Sequence, residues 1–360
     1  MVLKSKFCSM KHLISVAGII LLISGPVTAQ DKIQSPPVED TISPLEGLFD
    51  VEEPLHLTMK FDIKKFQKTR RVGNYQEAEL INQSNDTFRV SYPVRVKARG
   101  IYRKANCATP PFFLNIRHSG LKTEELKGIR RIKTVIRCRP ASSYEDYVLK
   151  EYLIYRIYNL ITPLSYRTRL VRLKLIDTGR KNIESEDWAF LIEPDEMMAA
   201  RLGAKVVKSD RLTMRTVNEN VMDQVALFQY MIGHGDYSVT GRHNLKILAV
   251  LTPEISGFAP VPYDFDYSGL VNTVYAAPRE SLGISSVRER IYLGPCRTEN
   301  VHQEKADSFK QYKEEISDLI LNFEYLDEDG KMDMVGYIDS FFNELEDDNF
   351  VERKILSTCN

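Results

Sequence analysis

The chain has 360 residues, 43% hydrophobic and 27% charged, a composition that excludes a wholly disordered or low-complexity protein and suits a folded chain with a substantial core. Lys+Arg and Asp+Glu both number 49, for zero formal charge, so the total gives no sign of a nucleic-acid or anionic-membrane partner.

The opening stretch, MVLKSKFCSMKHLISVAGIILLISGPVTAQ, carries Lys4, Lys6 and Lys11, an apolar run from Leu13 to Ser24, and small residues at Val27 and Ala29. That is the layout of a secretory signal peptide over residues 1–29, cleaved after Ala29. The apolar run is too short to span a bilayer comfortably. The mature protein is therefore expected to be exported, periplasmic or at the cell surface, with no stable membrane span and no nucleic-acid partner. Residues 30–50 are polar, carry prolines and lack apolar periodicity, as a linker does.

Cleavage would discard Cys8 and leave Cys107, Cys138, Cys296 and Cys359. Four cysteines in an exported chain permit disulfides in three pairings. Cys107 with Cys138 is the favoured pair, because each lies beside an apparent strand of one subregion.

Residues 51–194 read as a sheet-rich first lobe. LHLTMKFDI, FRVSYPVRVKARG, PFFLNIR and RRIKTVIRCR alternate as strands do. A helix follows in EDYVLKEYLIYRIYNLI, where Val148, Tyr152, Tyr155, Ile157 and Tyr158 recur at helical spacing and Pro163 ends the run. RTRLVRLKLID and WAFLIEP then form a hairpin across a polar turn. Residues 195–360 read as a mainly helical second lobe, beginning with NENVMDQVALFQYMIGHGD and closing with two charged amphipathic stretches. The class expected is α+β.

The chemistry concentrates in MIGHGDYSVTGRHNLKIL and PVPYDFDYSG. An apolar helix runs into Gly233 and Gly235, which leaves Asp236 on a loop, and Asn244 stands eight residues on, where a strand begins. Asp264 and Asp266 close the next strand. A loop carboxylate, an amide oxygen and a carboxylate pair brought together would suit a hard cation such as Mg2+ or Mn2+ held with phosphate oxygens. Singly, each of these residues also fits a turn or a strand cap. His234 and His243 lack zinc-ligand spacing, although a metal-dependent hydrolase built on His234, Asp236, His243, Asp264 and Asp266 is a third reading.

The order of these stretches resembles the CotH family of atypical protein kinases and, more distantly, the secretory-pathway kinases. The stretches that carry the likeness are VKARGIYRK with Arg99 and Gly100, YVLKEYLIYRIYN, LVRLKLID with WAFLIEP, IGHGDYSVTGRHN and PYDFDYSG, across roughly residues 55–270. The resemblance implies a two-lobed protein-kinase-like fold: an antiparallel-sheet first lobe with one helix, a mainly helical second lobe, and nucleotide between them. It implies ATP as phosphate donor with Mg2+ or Mn2+, and a protein or small-molecule hydroxyl as acceptor. Asp236 would be the base or orienter, and Asn244, Asp264 and Asp266 the metal ligands. Glu151 would pair with the phosphate-binding cation, and Glu193 would stand near the nucleotide base. The sequence departs from the family in CATPPFFLNIR, where Pro110, Phe112 and Asn115 replace expected basic residues. Arg99 is the first substitute, with Arg117 and Lys133 behind it. His234 in place of an asparagine and the absence of a glycine-rich loop point toward a pseudokinase. The alternative is a non-catalytic envelope binding module with a structural calcium site.

Overall fold

A computed structural model describes residues 47–83, 89–121, 126–209, 211–252 and 255–359. The expected signal peptide, and the expected linker up to residue 46, lie outside the described residues.

The first part of the chain is a β-barrel, not an open antiparallel sheet. Its strands are β1 (Leu55–Phe61), β2 (Gln76–Gln83), β3 (Arg89–Ala98), β4 (Phe112–Asn115), β5 (Arg131–Ile136), β6 (Thr168–Asp177) and β7 (Ile183–Ile192). They follow one another around the wall in the order β1-β2-β3-β4-β5-β7-β6. Every neighbouring pair is antiparallel except the one that closes the ring, where β1 lies parallel to β6. That closing register sets Leu57 beside Leu173 and Met59 beside Leu175, and all four are buried in the barrel core with Val96, Leu114 and Ile132. The two-lobed protein-kinase-like fold with an antiparallel-sheet first lobe, implied by the kinase resemblance, is thus corrected to a closed mixed barrel joined by a small separate sheet. The physical reason is that alternating strands such as β1 and β6 each have an unpaired edge, and joining them satisfies both ladders at once. Alternation in sequence marks each strand but does not choose its neighbour.

Two short helices interrupt these strands: α1 (Ile63–Thr69) and α2 (Tyr102–Asn106). They also correct the expectation of one helix among the early strands. The long helix α3 (Ser143–Ile161) is buried nearly all round, from Val148 to Tyr158, and stops two residues before Pro163. Its aromatic and aliphatic side chains share a core with the later part of the chain, including Phe228, Phe265, Ile316 and Phe341.

The later part comprises α4 (Asp195–Arg201), β8 (Lys205–Val206), α5 (Glu219–Met231), β9 (Leu245–Leu251), β10 (Ser256–Pro262), α6 (Glu299–Lys310), α7 (Lys313–Leu321) and α8 (Glu328–Leu345). β8, β9 and β10 form a second, antiparallel sheet in the order β10-β9-β8, so the mainly helical reading of residues 195–360 omits a sheet that carries part of the site. α5 begins at Asn218, whose side chain accepts from the Val221 amide at 3.1 Å. It ends before Gly233, where φ is +65° and an added Cβ would fall 2.1 Å from the Tyr337 hydroxyl, so only glycine fits this turn.

Two disulfides join Cys107 to Cys138 and Cys296 to Cys359. The first is the pairing favoured from sequence. The second joins residues the sequence left unpaired. A sequence separation of 31 for the first corresponds to a stabilisation of about 3 to 4 kcal/mol on the chain-entropy account. A Cys107→Ala/Cys138→Ala variant should therefore lose about that much in denaturant unfolding. Non-reducing peptide mapping should recover both linkages, and free thiols at all four positions would contradict this arrangement.

Candidate functional site

The early strands deliver a cluster of cations to the site through one turn. β3 ends at Ala98, Arg99 follows, and Gly100 takes φ +79°, a left-handed conformation that glycine adopts without steric cost. The chain then turns into α2, which presents Arg103. Both arginine side chains are buried, at 8% and 7% exposure. Arg103 Nη2 donates to Glu151 Oε2 of α3 at 2.6 Å, and its Nε donates to Asp266 Oδ2 at 2.7 Å. Tyr275 OH adds a hydrogen bond to the same Asp266 oxygen at 3.1 Å, and the Tyr275 ring stacks on Tyr102 at 5.4 Å. A guanidinium is charged at any physiological pH, but one cation cannot neutralise two full carboxylates. Burial raises both acids, Glu151 to about 7, against the opposing pull of Arg103.

The second element is the pair of strand ends at Asn244 and Asp264. The β9–β10 ladder runs one step past Leu245 and Pro262, with the Tyr263 amide donating to the Asn244 carbonyl at 3.0 Å. Asn244 (φ +51°) and Asp264 (φ +65°) are both left-handed non-glycine residues, a conformation that costs on the order of 1 kcal/mol and gathers at functional sites. Tyr155 OH of α3 accepts from the Asp264 amide at 2.9 Å, and Phe265 packs its ring against Tyr155 at 4.8 Å. Asp264 is thereby fixed by its backbone, while its carboxylate stays 31% exposed. Arg99 Nη2 lies 3.8 Å from its Oδ1. Burial alone would raise this carboxyl, but Arg99, Arg103 and Lys133 together hold it below the usual carboxylate range.

The third element is the loop after α5. Asn244 Nδ2 donates to the Asp236 carbonyl at 2.7 Å, and His243 Nε2 lies 3.1 Å from Asp236 Oδ2. A tight turn returns the chain, with the Ser238 and His243 backbones exchanging two hydrogen bonds at 3.0 Å. His234 is buried, with Nδ1 3.0 Å from Gln229 Oε1 and its ring edge-on to Phe265 at 5.9 Å. Burial drives its pKa down to about 4, against the attraction of Asp236 and Asp264.

The structure thus brings together Arg99, Glu151, Asp236, Asn244, Asp264 and Asp266. The resemblance implies that Glu151 pairs with the phosphate-binding cation; its partner in the structure is Arg103, a residue not singled out from the sequence. The available signal was its place four residues after Arg99, inside the quoted VKARGIYRK. Lys133 is close enough to act on Asp264 but is engaged elsewhere, 2.9 Å from Asp195 and over the rings of Tyr166 and Tyr263. Glu193 receives two hydrogen bonds from Arg201, at 3.0 and 2.8 Å, and one from the Arg167 amide. It locks the junction between β7 and α4. Arg117 is exposed beyond β4. Arg288 and Arg290, in the segment after the DFD strand end, pair with Asp333 and Glu344 of α8 and cover Tyr337.

The donor set suits a hard cation in part. Glu151, Asp264 and Asp266 offer oxygens within 4.8 Å of one another, but Arg103 already bridges Glu151 and Asp266. Asp264 and the amide oxygen of Asn244 remain as hard-oxygen donors.

The chain matches no protein-family model and no curated protein. Among solved structures it is similar to a Helicobacter pylori proinflammatory kinase, CtkA, with 11% identity and a TM-score of 0.41, over 76% of this chain and 95% of that one. Any assignment of activity therefore rests on the geometry above.

Two stability measurements check this geometry. Arg103→Leu leaves Glu151 and Asp266 as buried acids without their cation and should cost about 3 to 5 kcal/mol in urea unfolding; a cost below 1 kcal/mol would show that the bridge is not formed. For His234, the unfolded chain takes up a proton near pH 6.5 that the folded chain refuses until about pH 4. Stability is then lost as pH falls through that window, on the order of 3 kcal/mol in all. His234→Gln should flatten the melting-temperature profile between those pH values, and parallel profiles would refute the neutral buried imidazole.

Proposed function

We propose that this chain is an exported phosphotransferase with kinase-like chemistry, moving phosphate from ATP to a hydroxyl of a protein or small molecule. The observation that carries the reading is Asp264, left-handed and partly exposed with Arg99 3.8 Å from its carboxylate, with Asn244 across the strand ladder and Asp236 bonded to Asn244. Phosphoryl transfer demands little covalent chemistry of the protein. It requires cations and a metal to neutralise phosphate oxygens and a carboxylate to orient the attacking hydroxyl.

In this reading Asp264 and Asn244 hold Mg2+ or Mn2+, which would supply charge neutralisation at the phosphates. Arg99, whose contact to Asp264 is long, turns to a phosphate oxygen. Arg103 does not reach substrate: held between Glu151 and Asp266, it keeps the strand end and α3 in register. Asp266 accordingly serves the bridge, not the metal. Asp236 orients the acceptor, with His243 at its outer oxygen. The two disulfides are compatible with an exported protein. So is the finding that, among the described residues, no helix is long and apolar enough to cross a membrane.

The test is a thermal-shift titration of the protein with ATP and Mn2+. A ligand bound only by the folded state must raise the melting temperature, by about 2.7 kcal/mol of stabilisation at a hundredfold excess over Kd. A metal-dependent shift is expected in the wild type and its loss in Asp264→Ala. An unshifted wild type at high nucleotide would turn the assignment to the binding module.

A further inference from the structure

A basin of about 640 Å³ opens at the mouth of the barrel, and none of its lining residues belongs to the acidic cluster. Its floor is barrel interior: Ile136, Leu173, Leu175 and Ala189 line the basin and belong to the buried barrel core. Its rim is cationic. Lys64, Lys68, Arg70, Arg137, Arg139 and Arg180 line it, with Asp187 as the one carboxylate among the lining residues. Asp187 is already taken by Arg137 at 2.7 Å.

Among the remaining cations only Arg180 has a carboxylate partner among the described residues, Asp177, which does not line the basin. β-strand alternation turns Glu184 and Glu186 to the opposite face of β7, where they pair with Lys174 and Arg172. Arg70 donates to the carbonyls of Ala105 and Cys107, contacts that orient the guanidinium without cancelling its charge. Arg180 reaches Asp177 at 3.5 Å. Lys64, Lys68 and Arg139 have no carboxylate partner among the described residues. The wall that places Arg139 over the floor is stapled by the Cys107–Cys138 bridge and by the Ala108 amide donating to the Cys138 carbonyl at 2.9 Å.

A chain with zero formal charge that gathers six cations around a concave surface, four of them without a carboxylate partner among the described residues, raises its own electrostatic energy there unless an anion is bound. Hydrocarbon beneath the rim keeps the field from being screened from below. We infer that the barrel mouth is a second binding site, separate from the Asp264 cluster, for a small phosphorylated molecule carrying at least two negative charges. Its size admits a diphosphate with a modest organic group resting on the apolar floor.

Calorimetric titration of the full chain with inorganic pyrophosphate tests this. The comparison variants are Lys64→Gln/Lys68→Gln/Arg139→Gln, whose exposed side chains make no contact that folding needs, and Asp264→Ala. Saturable one-to-one binding is expected in the wild type and in Asp264→Ala. The triple variant should bind about tenfold or more weakly, and added salt should weaken the wild type further. Equal affinity in the triple variant, or loss in Asp264→Ala alone, would assign the anion to the acidic cluster and overturn the proposal. So would failure to bind pyrophosphate alongside retention on mixed phosphatidylcholine and phosphatidylglycerol vesicles, which would make the rim a membrane-facing surface.

Discussion

One buried guanidinium organises the site. Arg103 is at once part of the turn that leaves β3, a partner of α3 through Glu151, and a partner of the segment after β10 through Asp266. Three parts of the chain that are remote in sequence meet at its nitrogen atoms. Removing two carboxylates from water is costly, and only a cation in direct contact makes the arrangement tolerable. The contact therefore requires its surroundings to be in one arrangement: Gly100 left-handed, α3 at its full depth, and the DFD strand end pressed onto Tyr155 and Phe265.

From that constraint the division of labour among the acids follows. Glu151 and Asp266 are committed to Arg103, and their charge is spent on cohesion. Asp264, one residue from Phe265 on the other side, is held by its backbone and keeps an exposed carboxylate under the influence of three cations. Such an acid stays ionised at neutral pH, as a ligand for metal or for a cationic group must. The same strand end thus provides one anchoring acid and one working acid. The difference between them lies in their contacts: Asp264 is left-handed with its amide held by Tyr155, whereas Asp266, across the buried Phe265, is bonded to Arg103.

The barrel contributes differently. Closing β1 onto β6 buries Leu57 and Met59 against Leu173 and Leu175 and leaves no long exposed strand edge between them. It also produces a mouth, and the side chains that ring the mouth come from α1, from the loop fixed by Cys107 and from the ends of β5 and β7. The α1 segment is itself basic, with Lys64, Lys65, Lys68, Arg70 and Arg71 within nine residues. Charge accumulates there because the closure brings their ends around a common axis.

Much of this was legible in the sequence. Alternation marked the strands, helical spacing marked α3 with its stop before Pro163, and the run into Gly233 placed Asp236 on a loop. Asn244 and the DFD stretch were identified as strand ends because polar residues there interrupt apolar runs. What stayed hidden were relations between distant segments. The parallel pairing of β1 with β6 has no local signature, since period-2 alternation is the same for any partner. β8 is two residues long and too short to have a pattern. Arg103 carried no local mark and Lys133 was a candidate phosphate-binding cation, until the fold placed acids beside them. Local chemistry, meaning periodicity, turn residues and the types of side chain in one loop, is written along the chain and was determined there. Which charges become partners, and which remain available for a ligand, depends on distances across the fold, and only the tertiary structure decided it.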